Sequence, residues 1–346
     1  MADEQKKIVL SIVVPMFNEE EGIEVFLERV EPVAEAAVAP LRQDYEIICV
    51  DDGSSDGTLE KLRAHAERNP AIRILSLSRN FGKDLALTAG LDHARGAAIV
   101  PIDADLQDPP ELIPELFSRW LEGNEVVYAA RASRKSDSIG KRLSAGWYYR
   151  VHNLIADVKI PENAGDFRLM DRRVVEALKN LPERNRFMKG LFAWVGFKHT
   201  SVDYVRAPRA RGATKWKRWR LWNFGLDGIT SSSTVPLRIW SYIGALVFAV
   251  ATLYAGFLVV RTLVYGTDVP GYASLMVVVL FMGGINLLTL GIIGEYLGRI
   301  YTEVKGRPLY LVRERIGFSE LETEDSAWSA GSTPEWARLK TGTGGS

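Results

Sequence analysis

At 346 residues the chain is long enough for one large α/β domain with an appendage, or for two domains. Lys plus Arg and Asp plus Glu both number 43, so net charge gives no reason to expect a nucleic acid or a strongly acidic partner. The single cysteine, Cys49, excludes an intrachain disulfide and suits a reducing compartment, and residues 1–7 lack the apolar core of a signal peptide.

Residues 8–14 read as a strand ending at Pro15, followed by a helix over about 20–37 that acidic residues open. A second strand over 46–50 runs into the turn Asp51-Asp-Gly-Ser-Ser-Asp-Gly57 and a helix over 58–67. Strands at 72–77 and 97–102 flank a helix at 84–94. This alternation predicts a parallel, doubly wound sheet, whose ligands sit at the carboxyl ends of the strands. Pro15-Met-Phe-Asn-Glu19, Asp51-Asp52 and Asp103-x-Asp105 all fall at such ends, so they predict one shared site.

Asp103 and Asp105 break an apolar run and stand one residue apart, a spacing suited to a hard divalent cation with oxygen ligands. Taken singly, Asp103-x-Asp105 is equally a loop of solvated acids, and Asp51-Asp52-Gly53 an ordinary Asx turn. No strand leads into G-x-G-x-x-G and no G-x-x-x-x-G-K-[ST] occurs, which disfavours dinucleotide and P-loop enzymes. Histidines 65, 93, 152 and 199 show no metal-ligand spacing.

Further along, 139–156 reads as an amphipathic helix, with strands around 167–169 and 198–205. Residues 209–223 combine six cations with three tryptophans, a composition that suits the membrane interface better than nucleic acid. Two uncharged runs follow, 22 residues over 239–260 and 26 over 269–294. About 20 apolar residues suffice to cross a bilayer, so a helical hairpin is expected. Arg238, Arg299, Lys305, Arg307, Arg313 and Arg315 flank it, whereas its loop carries only Arg261 and Asp268. The positive-inside rule then puts both ends in the cytoplasm of a multi-pass protein of the cell membrane. Beyond Gly317 the polar, Gly- and Ser-rich tail reads as loose.

Six segments in fixed order carry a resemblance: Val14-Pro-Met-Phe-Asn-Glu-Glu20, Val50-Asp-Asp-Gly-Ser-Ser-Asp-Gly-Thr58, Arg79-Asn-Phe-Gly-Lys83, Asp103-Ala-Asp-Leu-Gln-Asp-Pro-Pro-Glu111, Gly165-Asp-Phe-Arg-Leu-Met170 and Arg209-x-x-Gly-x-Thr-Lys215. With two spans after them, they resemble the family 2 glycosyltransferases of GT-A fold. The nearest branch is the polyprenyl-phosphate glycosyltransferases, which includes bactoprenol-phosphate glucosyltransferases and dolichyl-phosphate mannose synthases.

The resemblance implies a mixed, Rossmann-like sheet with flanking helices plus a transmembrane hairpin. The expected division is a cytosolic catalytic domain over 1–218, an interfacial segment over 219–236, two spans within 237–298 (about 238–261 and 270–296), and a cytosolic segment over 299–346. It implies that Asp105 and Gln107 ligate Mg²⁺ or Mn²⁺, while Asp103 holds the ribose or orients the metal shell. Pro15, Phe17, Glu19, Val50 and Asp52 line the nucleobase pocket on this reading, and Ala104 lines the nucleotide site. Arg209 and Lys215, with Gly212 between them, bind diphosphate, and Lys189 is a further candidate for the same charge cluster. Arg131 and Arg134 meet the acceptor phosphate. Asp166 serves as base or sugar-hydroxyl acceptor, and Arg168 supports the site or pairs with Asp166.

A lipid monophosphate, with a second pKa of about 6 by analogy with a phosphorylated side chain, is already anionic near neutrality and needs no strong base. The implied reaction is inverting transfer of a sugar to a polyprenyl phosphate such as undecaprenyl phosphate. UDP-glucose is the first choice of donor; GDP-mannose and other nucleotide sugars stay open, as does a non-catalytic membrane adaptor. A polysaccharide synthase is disfavoured by the absence of Q-x-x-R-W. Gly294-x-x-x-Gly298 allows close helix contact and hence a homo-oligomer, with a tetramer as one option.

Overall fold

Branched apolar runs become strands buried on both faces: β1 (Ile8–Met16), β2 (Asp44–Asp51), β3 (Ile72–Leu77) and β4 (Ala98–Pro101). The computed structural model describes residues 7–131, 164–184, 186, 188–204, 235–265 and 271–318. Helices α1 (Ile23–Val38), α2 (Thr58–Arg68) and α3 (Lys83–His93) connect the first four strands. Then come α4 (Ile113–Leu121), β5 (Val126–Arg131), β6 (Ala164–Asp171), α5 (Arg172–Lys179), α6 (Met188–Trp194), β7 (His199–Tyr204), α7 (Val235–Tyr265), α8 (Tyr272–Val304) and β8 (Val312–Ile316).

The eight strands form one sheet in the order β7-β5-β6-β4-β1-β2-β3-β8. β1 pairs in parallel with β2 and β4, and β2 with β3, as the strand-helix alternation predicts. β6 runs antiparallel to β4 and β5, and β8 antiparallel to β3, so the sheet is mixed, as the resemblance implies. Period-2 alternation divides the core: Leu10, Ile12 and Val14 pack with Phe26, Leu62 and Phe117 on one face. Val13, Ile48 and Val50 pack with Ala86, Leu87 and Val174 on the other. Cys49 lies within this core, where burial pushes its thiol up to about 12 and leaves it inert.

The chain divides into two compact units, and the sheet unit is discontinuous in sequence. Residues 307–318 rejoin it: β8 pairs along β3, Tyr310 donates to Asp92 at 2.8 Å, and Arg63 pairs with Glu314. His93 sits between the rings of Tyr310 and Phe318, at 6.4 and 5.9 Å. The sequence reading gives no strand here and counts Arg313 and Arg315 only among the cations that flank the hairpin. As an edge strand it keeps Arg313 exposed and sets the half-buried Glu314 against Arg63.

The second unit contains α7 and α8. Large apolar side chains such as Tyr242, Leu263 and Leu287 are exposed along both helices, unlike anything in the sheet unit's core. Among the described residues one stretch, Phe281–Val304, is long and apolar enough to cross a bilayer, where the sequence reading places two spans. The expected helix over 139–156, the 209–223 segment and the 319–346 tail lie outside the described residues.

Tyr310→Phe removes the donor from the half-buried carboxylate of Asp92. It should lower stability by about 0.5–1.5 kcal/mol, read as the midpoint of chemical denaturation of the full-length protein in detergent.

Candidate active site

Three loops at the carboxyl ends of β1, β2 and β3 are laced together by side-chain to backbone hydrogen bonds. After β1, the Asn18 N–H donates to Ser54 Oγ (3.0 Å) and the Glu19 N–H to Thr58 Oγ1 (3.0 Å). Asp51 accepts from the Ser54 N–H and from Ser76 Oγ, each at 3.0 Å. Asp52, only 2% exposed, accepts the Phe81 and Gly82 N–H groups at 2.7 and 2.9 Å. Burial raises its proton affinity, and those two N–H groups oppose the rise. Gly53 permits this packing: its φ is +66°, and a Cβ there would stand 2.5 Å from the Arg79 carbonyl carbon. Pro15 pairs with the buried Val50 across β1 and β2, and Phe17 projects into solvent beyond them.

The second half of the site comes from β4 and β6. Their antiparallel register pairs Ala98 with Asp171 and Ile99 with Met170, and the same register carried past β4 sets Asp166 opposite Asp103. Lys83, the first residue of α3, fills the gap. Its ammonium reaches both oxygens of Asp103, at 2.7 and 2.8 Å, and Asp166 Oδ2 at 2.8 Å. Desolvation works against the charge on Lys83, but the two carboxylates outweigh it and hold the amine well above the ordinary lysine range.

The two acids diverge. Burial favours protonation of both, yet Lys83, Lys189 and Arg168 together hold Asp166 well below the usual carboxylate range. Asp103 is raised, because desolvation and the charges of Asp166 and Asp105 exceed the pull of Lys83. Asp84, beside Lys83, is pushed up to about 6 by burial and by Asp166, against the attraction of Lys83 and Lys189. Arg168 donates to the Gly165 carbonyl at 2.6 Å and lies 4.1 Å over the Phe192 ring; burial brings its guanidinium down to about 10.

Asp105 heads the next turn. Its Oδ1 accepts the Gln107 N–H at 3.1 Å, and Leu106 between them takes a left-handed φ of 54° while its side chain is buried. Such a conformation is strained for a non-glycine residue and persists where the surroundings over-determine it. Here Asp108 accepts from the Tyr204 hydroxyl, and Arg29 pairs with Glu111, pinning the far side of the loop. Among the described residues no three His, Cys, Asp or Glu side chains gather into a metal cage. Asp105 and Gln107 are partly exposed, and Ala104 between Asp103 and Asp105 is buried. One carboxylate and one amide, both partly exposed, fit Mg²⁺ or Mn²⁺, which take few protein ligands and complete their shells with phosphate oxygens and water.

Arg131 ends β5, which runs antiparallel to β6, so it lies at the same end of the sheet as Asp166. Comparison with known proteins decides the family. The model "Glycosyl transferase family 2" matches residues 11–179, and "GtrB C-terminal hairpin" matches residues 235–300. An uncharacterised glycosyltransferase of Synechocystis sp. is 55% identical over 317 residues, 92% of this chain and 98% of that protein. The chain belongs to glycosyl transferase family 2. A prophage-derived bactoprenol glucosyl transferase of Shigella flexneri is 50% identical over 88% of this chain and 97% of its own length. A prophage bactoprenol glucosyl transferase homolog of Escherichia coli K12 is 50% identical over 88% and 98%.

The structure thus brings together Pro15, Val50, Asp52, Asp103, Ala104, Asp105, Gln107, Arg131, Asp166 and Lys189 at one end of this transferase's sheet, with Phe17 and Glu19 on the loop after β1. Arg134, Arg209, Gly212 and Lys215 lie outside the described residues. Sequence reading gives no role to Lys83 or Asp84, although Lys83 closes the segment Arg79-Asn-Phe-Gly-Lys83. The readable signal was a Gly-Lys pair at the point where a strand's carboxyl end turns into a helix.

Gly53→Ala should destabilise the protein by at least about 1–3 kcal/mol, from the positive φ and the clash with Arg79, measured as loss of thermal midpoint. Because Asp84 is raised in the fold, its ionised form costs stability that is recovered as pH falls from about 6 towards the ordinary aspartate range. Asp84→Asn should therefore raise the thermal midpoint above pH 6, with the difference vanishing near pH 4.

Proposed function

We propose that this glycosyltransferase moves glucose from UDP-glucose to a polyprenyl phosphate such as undecaprenyl phosphate, with inversion, at the cytoplasmic face of a membrane. The full-length likeness to relatives named bactoprenol glucosyl transferases carries this reading, since it spans both the sheet unit and the hairpin segment. Exposed apolar side chains along α7 and α8 support insertion of the hairpin into a bilayer, which also supplies the acceptor. Residues 1–218 form the catalytic domain on this reading, and the protein works as a homo-oligomer.

The residues divide the work by position. Pro15, Phe17, Glu19, Val50 and Asp52 receive the nucleobase, and Asp103 the ribose. Asp105 and Gln107 hold Mg²⁺ or Mn²⁺, which when bound neutralises charge on the departing diphosphate. Lys189, Arg209 and Lys215 add fixed positive charge on the same leaving group. Arg131 and Arg134 align the acceptor phosphate behind the anomeric carbon, and this alignment supplies much of the rate. Asp166 accepts from sugar hydroxyls; the cations around it make it a poor base, and an anionic phosphate acceptor does not require one.

Purified protein given labelled UDP-glucose, undecaprenyl phosphate and Mg²⁺ or Mn²⁺ should produce label extractable into organic solvent, together with UDP. No lipid-linked label with UDP-glucose, UDP-galactose, UDP-N-acetylglucosamine or GDP-mannose would falsify the transferase reading. Asp105→Ala should cut turnover by at least about a hundredfold while the thermal midpoint holds; unchanged turnover removes Asp105 from the metal site.

A further inference from the structure

We propose that Lys83 is a resident counter-cation of the donor site, one that disfavours divalent metal until the nucleotide diphosphate arrives. The inference rests on the reading of Asp105 and Gln107 as the metal ligands. Its physical basis is the bridge itself. Three contacts of 2.7–2.8 Å engage Asp103 and Asp166 with one ammonium, so one of the two negative charges that would attract a dication is already offset. Around the bridge Asp84, Asp103, Asp105 and Asp166 face Lys83, Lys189 and Arg168, so removing Lys83 leaves the acids in clear excess.

Lys83 is also placed to leave. Its side chain is 42% exposed, and those of Asp103 and Asp166 are 29% and 21%, so solvent reaches the bridge. It follows Gly82, whose φ is +102° and beside which a Cβ would meet nothing within 4 Å. An ammonium on a four-carbon stem is a mobile point charge and can exchange carboxylate oxygens for phosphate oxygens. A diphosphate entering the site reverses the local charge: it draws Lys83 towards itself, frees Asp103, and makes a dication at Asp105 favourable. Metal and donor therefore bind with positive coupling, and each strengthens the other by the same factor. In the loaded site Lys83 acts as a positioning residue on the leaving group.

The test is Mn²⁺ binding to the full-length protein in detergent, read from the electron paramagnetic resonance signal of free Mn²⁺, with and without UDP. Wild-type protein should bind Mn²⁺ weakly alone and at least tenfold more tightly with UDP. Lys83→Met should bind Mn²⁺ alone at least tenfold more tightly than wild-type, so its gain from UDP shrinks; removing a unit positive charge from Asp103, which neighbours Asp105 in the turn, is enough for this. Lys83→Gln keeps a donor for the carboxylates without the charge and should behave as Lys83→Met does, which covers a failure of either variant to fold. Lys83→Arg keeps the charge and should retain the wild-type dependence on UDP. Wild-type Mn²⁺ affinity in both uncharged variants would reduce Lys83 to a structural ion pair and overturn the inference, while the metal site stood. No Mn²⁺ binding by wild-type protein even with UDP would remove the metal site and this inference with it.

Discussion

Carboxylates crowded at one end of a sheet repel one another and lose hydration, so they stay together only where donors and cations compensate each of them. Asp51 and Asp52 are compensated by N–H groups and a serine hydroxyl from neighbouring loops. Asp103 and Asp166 are compensated by Lys83. The same bonds that satisfy the acids also hold the loops, so assembling the site and closing the sheet's end are a single event. Weak individual contacts suffice because each loop is held at several points.

The division of labour follows from the sheet's direction. Parallel strands bring the loops after β1, β2 and β3 to one end, where the nucleotide half of a donor can be received. Switching β6 to antiparallel brings the start of that strand, with Asp166, to the same end, where β5, running in the direction of β4, finishes with Arg131. In a purely parallel sheet the start of β6, with Asp166, would lie at the opposite end. Mixed pairing thus sets Asp103, Asp166 and Arg131 at one end of the sheet.

How much of this was legible depends on sequence distance. The strands and helices through residue 101 show themselves through local periodicity, and Asp103 and Asp105 through the break they make in an apolar run. The role of Lys83 was hidden because its partners stand 20 and 83 residues away, and no local pattern records a contact of that kind. β8 was hidden for a related reason: Arg313 and Arg315 read as cations flanking the hairpin until β3 is seen beside them. The short elements α4, β5, α5 and α6 give too few residues for periodicity to stand out.

The return of residues 307–318 to the sheet also has a consequence for biosynthesis. The hairpin segment is an insertion between parts of one folded unit, and β8 is the last strand of that sheet to leave the ribosome. Until then β3 presents an open edge of unpaired backbone groups, the kind that recruits other chains. Completion of the catalytic unit therefore waits for synthesis of the hairpin, and cutting the gene ahead of the hairpin leaves a sheet with an unfinished, adhesive border.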